Sequence, residues 1–167
     1  MKYSEIELAI ANLFGTRQYA IIPNLSYGII GDREADLTLI KLSGYCIEVE
    51  IKVSKSDFKA DFKKRHRKKD YNETFFRELY YAVPKDMEEF AMEILPTHAG
   101  LICFCESEYG VRASFAKQPE VNKKAVKLTE GQYQKLFRLS TMRIWNLKQK
   151  YNYLERNIQK FASEVMP

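Results

Sequence analysis

The chain has 167 residues, 46% of them hydrophobic and 13% aromatic, which is enough apolar surface to bury the core of one domain. This composition excludes a disordered chain, and the longest apolar runs are too short for a membrane span. Three cysteines without zinc-ligand spacing favour neither a disulfide framework nor a zinc finger. Because Glu5 and Glu7 interrupt the N-terminal segment, we expect no signal peptide and a reducing, cytoplasmic setting.

The net charge of +5 is unevenly distributed along the chain. The segment from Lys52 to Lys69 holds nine Lys or Arg and two Asp, a balance of +7, so the remaining residues carry −2. Such a basic run is either the solvated face of a helix or a surface for nucleic-acid phosphates. Charge alone leaves both interpretations open.

Apolar spacing and turn residues predict the elements in chain order. A capping box of Ser4 and Glu7 begins a helix over residues 5–14, and a strand over Tyr19–Ile30 is interrupted at Pro23-Asn24. The following segments are predicted as strands Ala35–Lys41 and Tyr45–Val53, a helix from Asp57 to Arg67, a strand Phe76–Val83, a helix Asp86–Leu95, strands Gly100–Cys105 and Val111–Phe115, and a long helix from Thr129. This order predicts an α/β domain with a mixed sheet.

The strands on either side of Gly44 predict a hairpin with a polar face. Gly44 suits the left-handed position of a three-residue loop that pairs Lys41 with Tyr45. In this register the apolar side chains of both strands share one face, because side chains alternate with a period of two. The opposite face places Asp36 across from Glu50, Thr38 across from Glu48, and Glu34 across from Lys52.

Two facing carboxylates suggest a metal site on this polar face. Asp36 and Glu50 repel each other when they lie directly opposite, and a divalent cation relieves that repulsion. Mg²⁺ prefers one or two carboxylates together with waters and phosphate oxygens. Lys52 lies beside such a metal, where it is able to orient or activate a water or to stabilise charge on a phosphate. The alternative is an ordinary solvated hairpin face.

The residues of this hairpin resemble a known nuclease signature. Asp36 followed by Glu50-Ile51-Lys52 resembles the D…(D/E)-x-K pattern of the PD-(D/E)XK nuclease superfamily. Three blocks are similar to the MmcB-like DNA repair family, namely EIKVSKSDFKADFKK (50–64), FFRELYYAVPKDM (75–87) and LPTHAGLICF (95–104). The resemblance covers residues 1–115. It implies an α/β, restriction-endonuclease-like core of α-β-β-β-α-β order, with a mixed sheet flanked by helices, which we assign to a domain over residues 1–128. The resemblance leaves unexplained the long C-terminal helix that the apolar pattern predicts within residues 129–167.

The resemblance also implies roles for individual residues. Asp36 and Glu50 match the metal-binding carboxylates, for Mg²⁺ or Mn²⁺, and Lys52 matches the catalytic lysine. The superfamily often adds a Glu from the first helix, and here Glu5 is preferred because Glu7 is assigned to the capping box. Glu48 is an alternative third ligand. Ala35 stands where the name of the motif has Pro.

The basic segment directly follows Lys52 and resembles the S-x-x-D-F-x-x-D block of the narrower family. Ser54 is expected to cap this helix and Asp57 to stabilise its N-terminal end, while Asp61 is a candidate partner for a lysine. Because this helix begins beside the predicted site, its basic side chains are expected to contact DNA phosphates. These are Lys55, Lys59, Lys63, Lys64, Arg65 and Arg67.

Several other residues are assigned to structure alone. Cys103 and Cys105 are expected to be buried in a strand, and Tyr80 and Tyr81 to pack within another. His66 and His98 have no second ligand at metal-binding spacing.

The C-terminal helix carries an apolar seam at alternating spacings of three and four residues. The seam consists of Ile144, Leu147, Tyr151, Leu154, Ile158 and Phe161. It predicts either packing on the chain's own domain or a homodimer.

The leading hypothesis is therefore a metal-dependent DNA endonuclease that hydrolyses phosphodiester bonds in DNA repair or processing. One alternative is a non-catalytic nucleic-acid-binding module on the same fold, and another is an interaction domain whose basic helix binds an acidic partner. The intact carboxylate–carboxylate–lysine set favours the nuclease. The form of the nucleic acid stays open, because one fold serves many tasks.

Overall fold

The computed structural model describes residues 1–25, 28, 34–62 and 75–165, with side chains as far as residue 161. Its α-helices are α1 (Tyr3–Phe14), α2 (Lys55–Asp61), α3 (Glu88–Ile94) and α4 (Glu130–Val165), and a 3₁₀ turn (Lys85–Met87) precedes α3. Its strands are β1 (Tyr19–Leu25), β2 (Ala35–Lys41), β3 (Cys46–Ile51), β4 (Glu78–Pro84), β5 (Gly100–Ser107) and β6 (Gly110–Lys117).

The strands form one mixed sheet. In the described residues its order is β1-β2-β3-β4-β5-β6, with β3–β4 and β4–β5 parallel and the other neighbours antiparallel. Parallel neighbours need a crossover connection, and α2 lies within the one from β3 to β4. The predicted α/β class is confirmed, with a mixed sheet, flanking helices and a long C-terminal helix.

In the described part of the chain, an apolar cluster packs on each face of the sheet. On one face, Ile6 and Ile10 of α1 pack against Leu37, Leu39 and other side chains of the central strands. On the other face, Phe58 of α2 and a side chain of α3 pack against β4 and β5. The buried members of this second cluster are Phe58, Leu79, Tyr81, Val83, Met87, Ala91, Ala99, Leu101 and Cys103. Both faces of the central strands are therefore buried, as expected for a sheet with helices on either side.

The hairpin of β2 and β3 has the predicted register. Leu37 pairs with Val49, Thr38 with Glu48, and Leu39 with Ile47. The backbone N–H of Lys41 donates to Tyr45 O at 2.9 Å. The loop residue Gly44 has a φ of 88°, in the region that favours glycine. Turn and register are confirmed together.

Other predicted details differ from the structure. α1 begins at Tyr3 rather than residue 5, and its start is capped by the Glu5 carboxylate, which accepts from the Lys2 N–H at 2.7 Å. The predicted capping box of Ser4 and Glu7 is therefore wrong. Cys105 is exposed rather than buried, because it lies where β5 leaves the apolar cluster. The predicted end of the first strand and the predicted helical residues 63–67 lie outside the described residues.

The chain divides into two compact units, Met1–Leu128 and Thr129–Pro167. The second unit consists of α4, whose first turn carries a capping box. The Thr129 N–H donates to Gln132 Oε1 at 2.8 Å, and the Gln132 N–H donates to Thr129 Oγ1 at 3.3 Å. Within the described part of the chain, none of the helices combines the length and apolar character needed to cross a membrane.

Gly100 is required by close packing at the start of β5. A Cβ at this position would lie 2.7 Å from the Tyr80 ring and 2.9 Å from the Lys117 carbonyl oxygen. We therefore expect Gly100→Ala to lower the free energy of unfolding by about 1–3 kcal/mol, measured by urea denaturation. Gly131→Ala is the control, because a Cβ there meets no atom within 4 Å. Equal destabilisation by both substitutions would contradict this explanation.

Candidate active site

The site lies where β2 and β3 separate. Their paired residues run from Leu37–Val49 to Ile40–Cys46. One step beyond this ladder, the Asp36 carboxylate accepts from the backbone N–H of Ile51 at 2.7 Å. A side-chain oxygen thus satisfies a buried strand donor. The bond fixes the orientation of Asp36 at the end of β3 where Glu50 and Lys52 are found.

Glu50 and Lys52 meet Asp36 at this end of the sheet. Lys52 Nζ donates to Glu50 Oε2 at 2.7 Å and lies 3.9 Å from Asp36 Oδ2. The backbone of Lys52 is also held, because its N–H donates to the Ala82 carbonyl oxygen of β4 at 2.9 Å. The structure therefore brings together the three residues that the sequence predicted as the site.

The polar face of the hairpin is buried rather than solvated. Thr38 and Glu48 are fully buried, and Glu50 and Lys52 are 5% and 4% exposed. The alternative of an ordinary solvated face is therefore wrong for these residues. Glu48, the alternative third ligand, is enclosed beside Thr38 within the hairpin.

Burial and mutual repulsion shape the charges of the site. Burial raises the pKa of Asp36, and the neighbouring Glu50 raises it further. For Lys52, burial by itself lowers the pKa, but the attraction of Glu50, Asp61 and Asp36 outweighs it, and the pKa is raised. Lys52 is therefore held as an ammonium ion among carboxylates.

Asp61 and Tyr81 complete the surroundings of Lys52. Asp61 Oδ1 lies 3.6 Å from Lys52 Nζ, and Asp61 Oδ2 accepts from the Tyr81 hydroxyl at 2.8 Å. The sequence analysis considered Asp61 only as a partner for an unspecified lysine and assigned Tyr81 to packing. The missing information was the parallel pairing of Glu50 with Tyr81, which no local pattern predicts.

Tyr3 and Glu7 of α1 lie near the Asp36 carboxylate. Burial raises the pKa of the Tyr3 hydroxyl, and the charge of Asp36 raises it further. Burial raises the pKa of Glu7, and repulsion from Asp36 raises it further, although a hydrogen bond from Asn24 at 3.2 Å opposes this. The spacing of Tyr3 and Glu7, four residues apart on one helix face, is the signal that the sequence analysis missed.

Glu5 has the role that the sequence analysis gave to Glu7. Glu5 is exposed and caps the start of α1, whereas Glu7 lies near Asp36. The reason for preferring Glu5 as a third metal ligand is therefore wrong.

The basic helix α2 begins immediately after the site. Its cap is confirmed, because Ser54 Oγ accepts from the Asp57 N–H at 3.2 Å. Lys55 and Lys59 are exposed, and their ammonium groups lie 5.0 Å and 5.1 Å from the centroid of the Phe90 ring. This cation–π packing keeps both charges on one side of the helix. The predicted phosphate contacts Lys63, Lys64, Arg65 and Arg67 lie outside the described residues.

The DNA repair protein MmcB-like family model matches residues 2–149. The chain belongs to this family of DNA repair proteins. A solved structure, the SPO1766 protein of unknown function from Silicibacter pomeroyi, is similar with a TM-score of 0.58 and 21% identity, over 84% of this chain and 86% of that one. That similarity bears on the fold alone. No curated protein matches the sequence.

The MmcB-like match includes every residue of the site and continues into α4, beyond the predicted limit at residue 115. In the described residues of this MmcB-like chain, no cluster of three or more His, Cys, Asp or Glu side chains is arranged to hold a metal. Asp36 and Glu50 are therefore the candidate metal ligands, and two carboxylates suit Mg²⁺ or Mn²⁺ when water and phosphate supply the other ligands. Their mutual repulsion is the observation that fits a divalent cation.

Proposed function

We propose that this protein is a metal-dependent nuclease of the PD-(D/E)XK superfamily that hydrolyses phosphodiester bonds in DNA during repair. The observation that carries the proposal is the buried contact of Lys52 with Glu50 and Asp36 at one end of the hairpin. Burying an ammonium beside two carboxylates is costly, so the arrangement favours a chemical role over a solvated surface. Membership of a DNA repair family supports DNA as the substrate.

Bound Mg²⁺ or Mn²⁺ would supply a Lewis acid for the phosphate and lower the pKa of an attacking water. Asp36 and Glu50 are the residues that would hold it. Asp36 is kept in place by the Ile51 N–H. The neighbouring carboxylates favour the ammonium form of Lys52, which suits a role in stabilising negative charge that develops on the phosphate.

Cleavage of duplex, single-stranded and branched DNA in Mg²⁺ or Mn²⁺ tests the nuclease. We expect Glu50→Gln and Lys52→Met each to lower the rate by at least about 100-fold, because each removes a charge that acts on the reacting phosphate. Glu78→Gln and Lys41→Met are the controls, since Lys41 and Glu78 form an ion pair at the opposite end of the hairpin. Cleavage that survives both site substitutions would exclude this site.

The second candidate is a non-catalytic nucleic-acid-binding module on the same fold. The exposed lysines of α2 favour it, because they supply phosphate contacts whether or not a bond is cut. Tight, salt-sensitive binding without cleavage of any substrate would favour the module over the nuclease.

We expect Lys55 and Lys59 to bind DNA phosphates in either case. Each phosphate contact adds about 0.9 to the slope of log affinity against log salt concentration, so Lys55→Ala/Lys59→Ala should reduce the slope by about 2. Fluorescence anisotropy over a salt series measures it. The matched control is Lys123→Ala/Lys124→Ala, which removes two exposed lysines away from the site. These lysines follow Asn122, whose N–H donates to the carbonyl oxygen of Arg77, at the end of β4 opposite the site. An equal change in both double variants would indicate only an effect of net charge.

Glu7, in place of Glu5, is proposed as the acidic residue of α1 whose charge favours a cation at Asp36 without binding it directly. We expect Glu7→Gln to weaken Mn²⁺ binding by about tenfold, since it removes one charge near Asp36. Glu5→Gln should leave Mn²⁺ affinity unchanged and lower the free energy of unfolding by about 0.5–1 kcal/mol, because Glu5 caps α1. Titration calorimetry and urea denaturation give the two quantities. The reverse pattern would favour Glu5 over Glu7.

We also propose that α4 pairs with α4 of a second copy. The six side chains of the apolar seam are 57% to 67% exposed, and three heptads of this kind support a coiled coil. In an antiparallel pair centred between residues 152 and 153, Lys148 faces Glu155 of the partner subunit, twice by symmetry. A parallel pair would instead place Arg143 beside Lys148 of the partner subunit, a repulsion that offsets the attraction between Lys150 and Glu155 of the partner subunit. Charge complementarity therefore favours the antiparallel homodimer.

A charge exchange tests this homodimer. Glu155→Lys should lower the dimer fraction, and Lys148→Glu/Glu155→Lys should restore it, because opposite charges face each other again in the antiparallel pair. Sedimentation equilibrium measures the masses. Gln149→Glu, on the outer side of the seam, is the control. A monomeric wild-type chain would exclude the homodimer.

A further inference from the structure

Among the residues that the structure describes, three carboxylates surround Lys52 Nζ, and they differ in their access to solvent. Glu50 lies at 2.7 Å with 6% of its side chain exposed, Asp36 at 3.9 Å with 26%, and Asp61 at 3.6 Å with none. Asp36 and Glu50 therefore keep a route to groups that arrive from solvent. Asp61 is completely enclosed, so it cannot meet a phosphate or a solvated cation directly.

Asp61 is held firmly by its own neighbours. It is the last residue of α2, and the hydroxyl of Tyr81 on β4 donates to it at 2.8 Å. Tyr81 is itself fully buried and packs edge-on against Phe58, with ring centroids 5.2 Å apart. A buried carboxylate is tolerated when it has both a hydrogen bond and an opposite charge. Here Tyr81 provides the first and Lys52 the second.

We propose that Asp61 is a positioning residue, which fixes the Lys52 ammonium at the active site, an inference that rests on the proposed nuclease function. Lys52 has a flexible side chain, and Glu50 is its nearest acceptor. If Glu50 were the only buried acceptor, the two charges would neutralise each other, and Lys52 would have no anchor whenever Glu50 binds another group. Asp61 supplies an anchor that neither substrate nor metal is able to occupy.

The roles of the two neighbouring residues follow from this arrangement. Tyr81 sets the orientation of Asp61, and Asp61 sets the position of Lys52. Neither Tyr81 nor Asp61 contacts the reacting phosphate. Their loss should therefore change turnover while the affinity for DNA, which depends on exposed basic groups, is retained.

A double-mutant cycle measures the contact between Lys52 and Asp61 without any assay of activity. Lys52→Met leaves the Asp61 charge buried without its cation, whereas Asp61→Asn keeps the shape and an acceptor for Tyr81. We expect the shift in urea midpoint caused by Lys52→Met to be at least halved in the Asp61→Asn background. Additive shifts would overturn the proposal.

Steady-state cleavage then tests the positioning role. Asp61→Asn and Tyr81→Phe should each lower kcat by about tenfold or more, with KM for DNA unchanged, because a misplaced ammonium stabilises the reacting phosphate poorly. Tyr81→Phe is informative because it keeps every charge. Asp57→Asn, an exposed carboxylate on the same helix, is the control and should leave kcat unchanged.

The two experiments separate the possible failures. Coupling in the cycle with an unchanged kcat in both Asp61→Asn and Tyr81→Phe would overturn the positioning role alone. A wild-type chain that binds DNA but cuts no substrate would overturn the nuclease and, with it, the catalytic role of Asp61, whatever the cycle shows. Coupling together with a selective loss of kcat is the result that we expect.

Discussion

The rest of the site depends on the burial of one ammonium group. Lys52 is 4% exposed, and a lone buried cation at this depth would be too costly to keep charged. Its charge is retained because side chains from β2, β3 and α2 converge on it, with Tyr81 of β4 supporting the last of them. The same convergence concentrates negative charge at Asp36 and Glu50, which is the condition for binding a divalent cation. Stability and proposed chemistry thus share one set of contacts.

The sheet topology makes that convergence possible. β2 and β3 form an antiparallel hairpin, so the start of one strand meets the end of the other and Asp36 reaches Glu50. β3 and β4 are parallel, so their carboxyl ends lie at the same edge, and the chain between them returns through α2 with Asp61.

The hairpin was predictable because its information is local. Alternation over β2 and β3, together with Gly44, is sufficient to predict the register, and the register places Asp36, Glu50 and Lys52 on one face. The capping role was assigned to Glu7 instead of Glu5, because a shift of two residues in the start of α1 changes which glutamate caps the helix. The contact of Asp61 with Lys52 was not predictable, since it depends on how α2 packs against β4.

By itself, the sequence determined the α/β class, the hairpin register, the placement of Asp36, Glu50 and Lys52 on one face of the hairpin, and the family resemblance. These follow from periodicity, turn chemistry and short motifs, which act between residues that are close along the chain or paired in one hairpin. Only the tertiary structure decided that the polar face is buried, that Glu7 approaches Asp36, and that Asp61 and Tyr81 support Lys52. Burial and long-range contacts arise when helices pack on both faces of a sheet, and no local pattern specifies the partner of a polar side chain there.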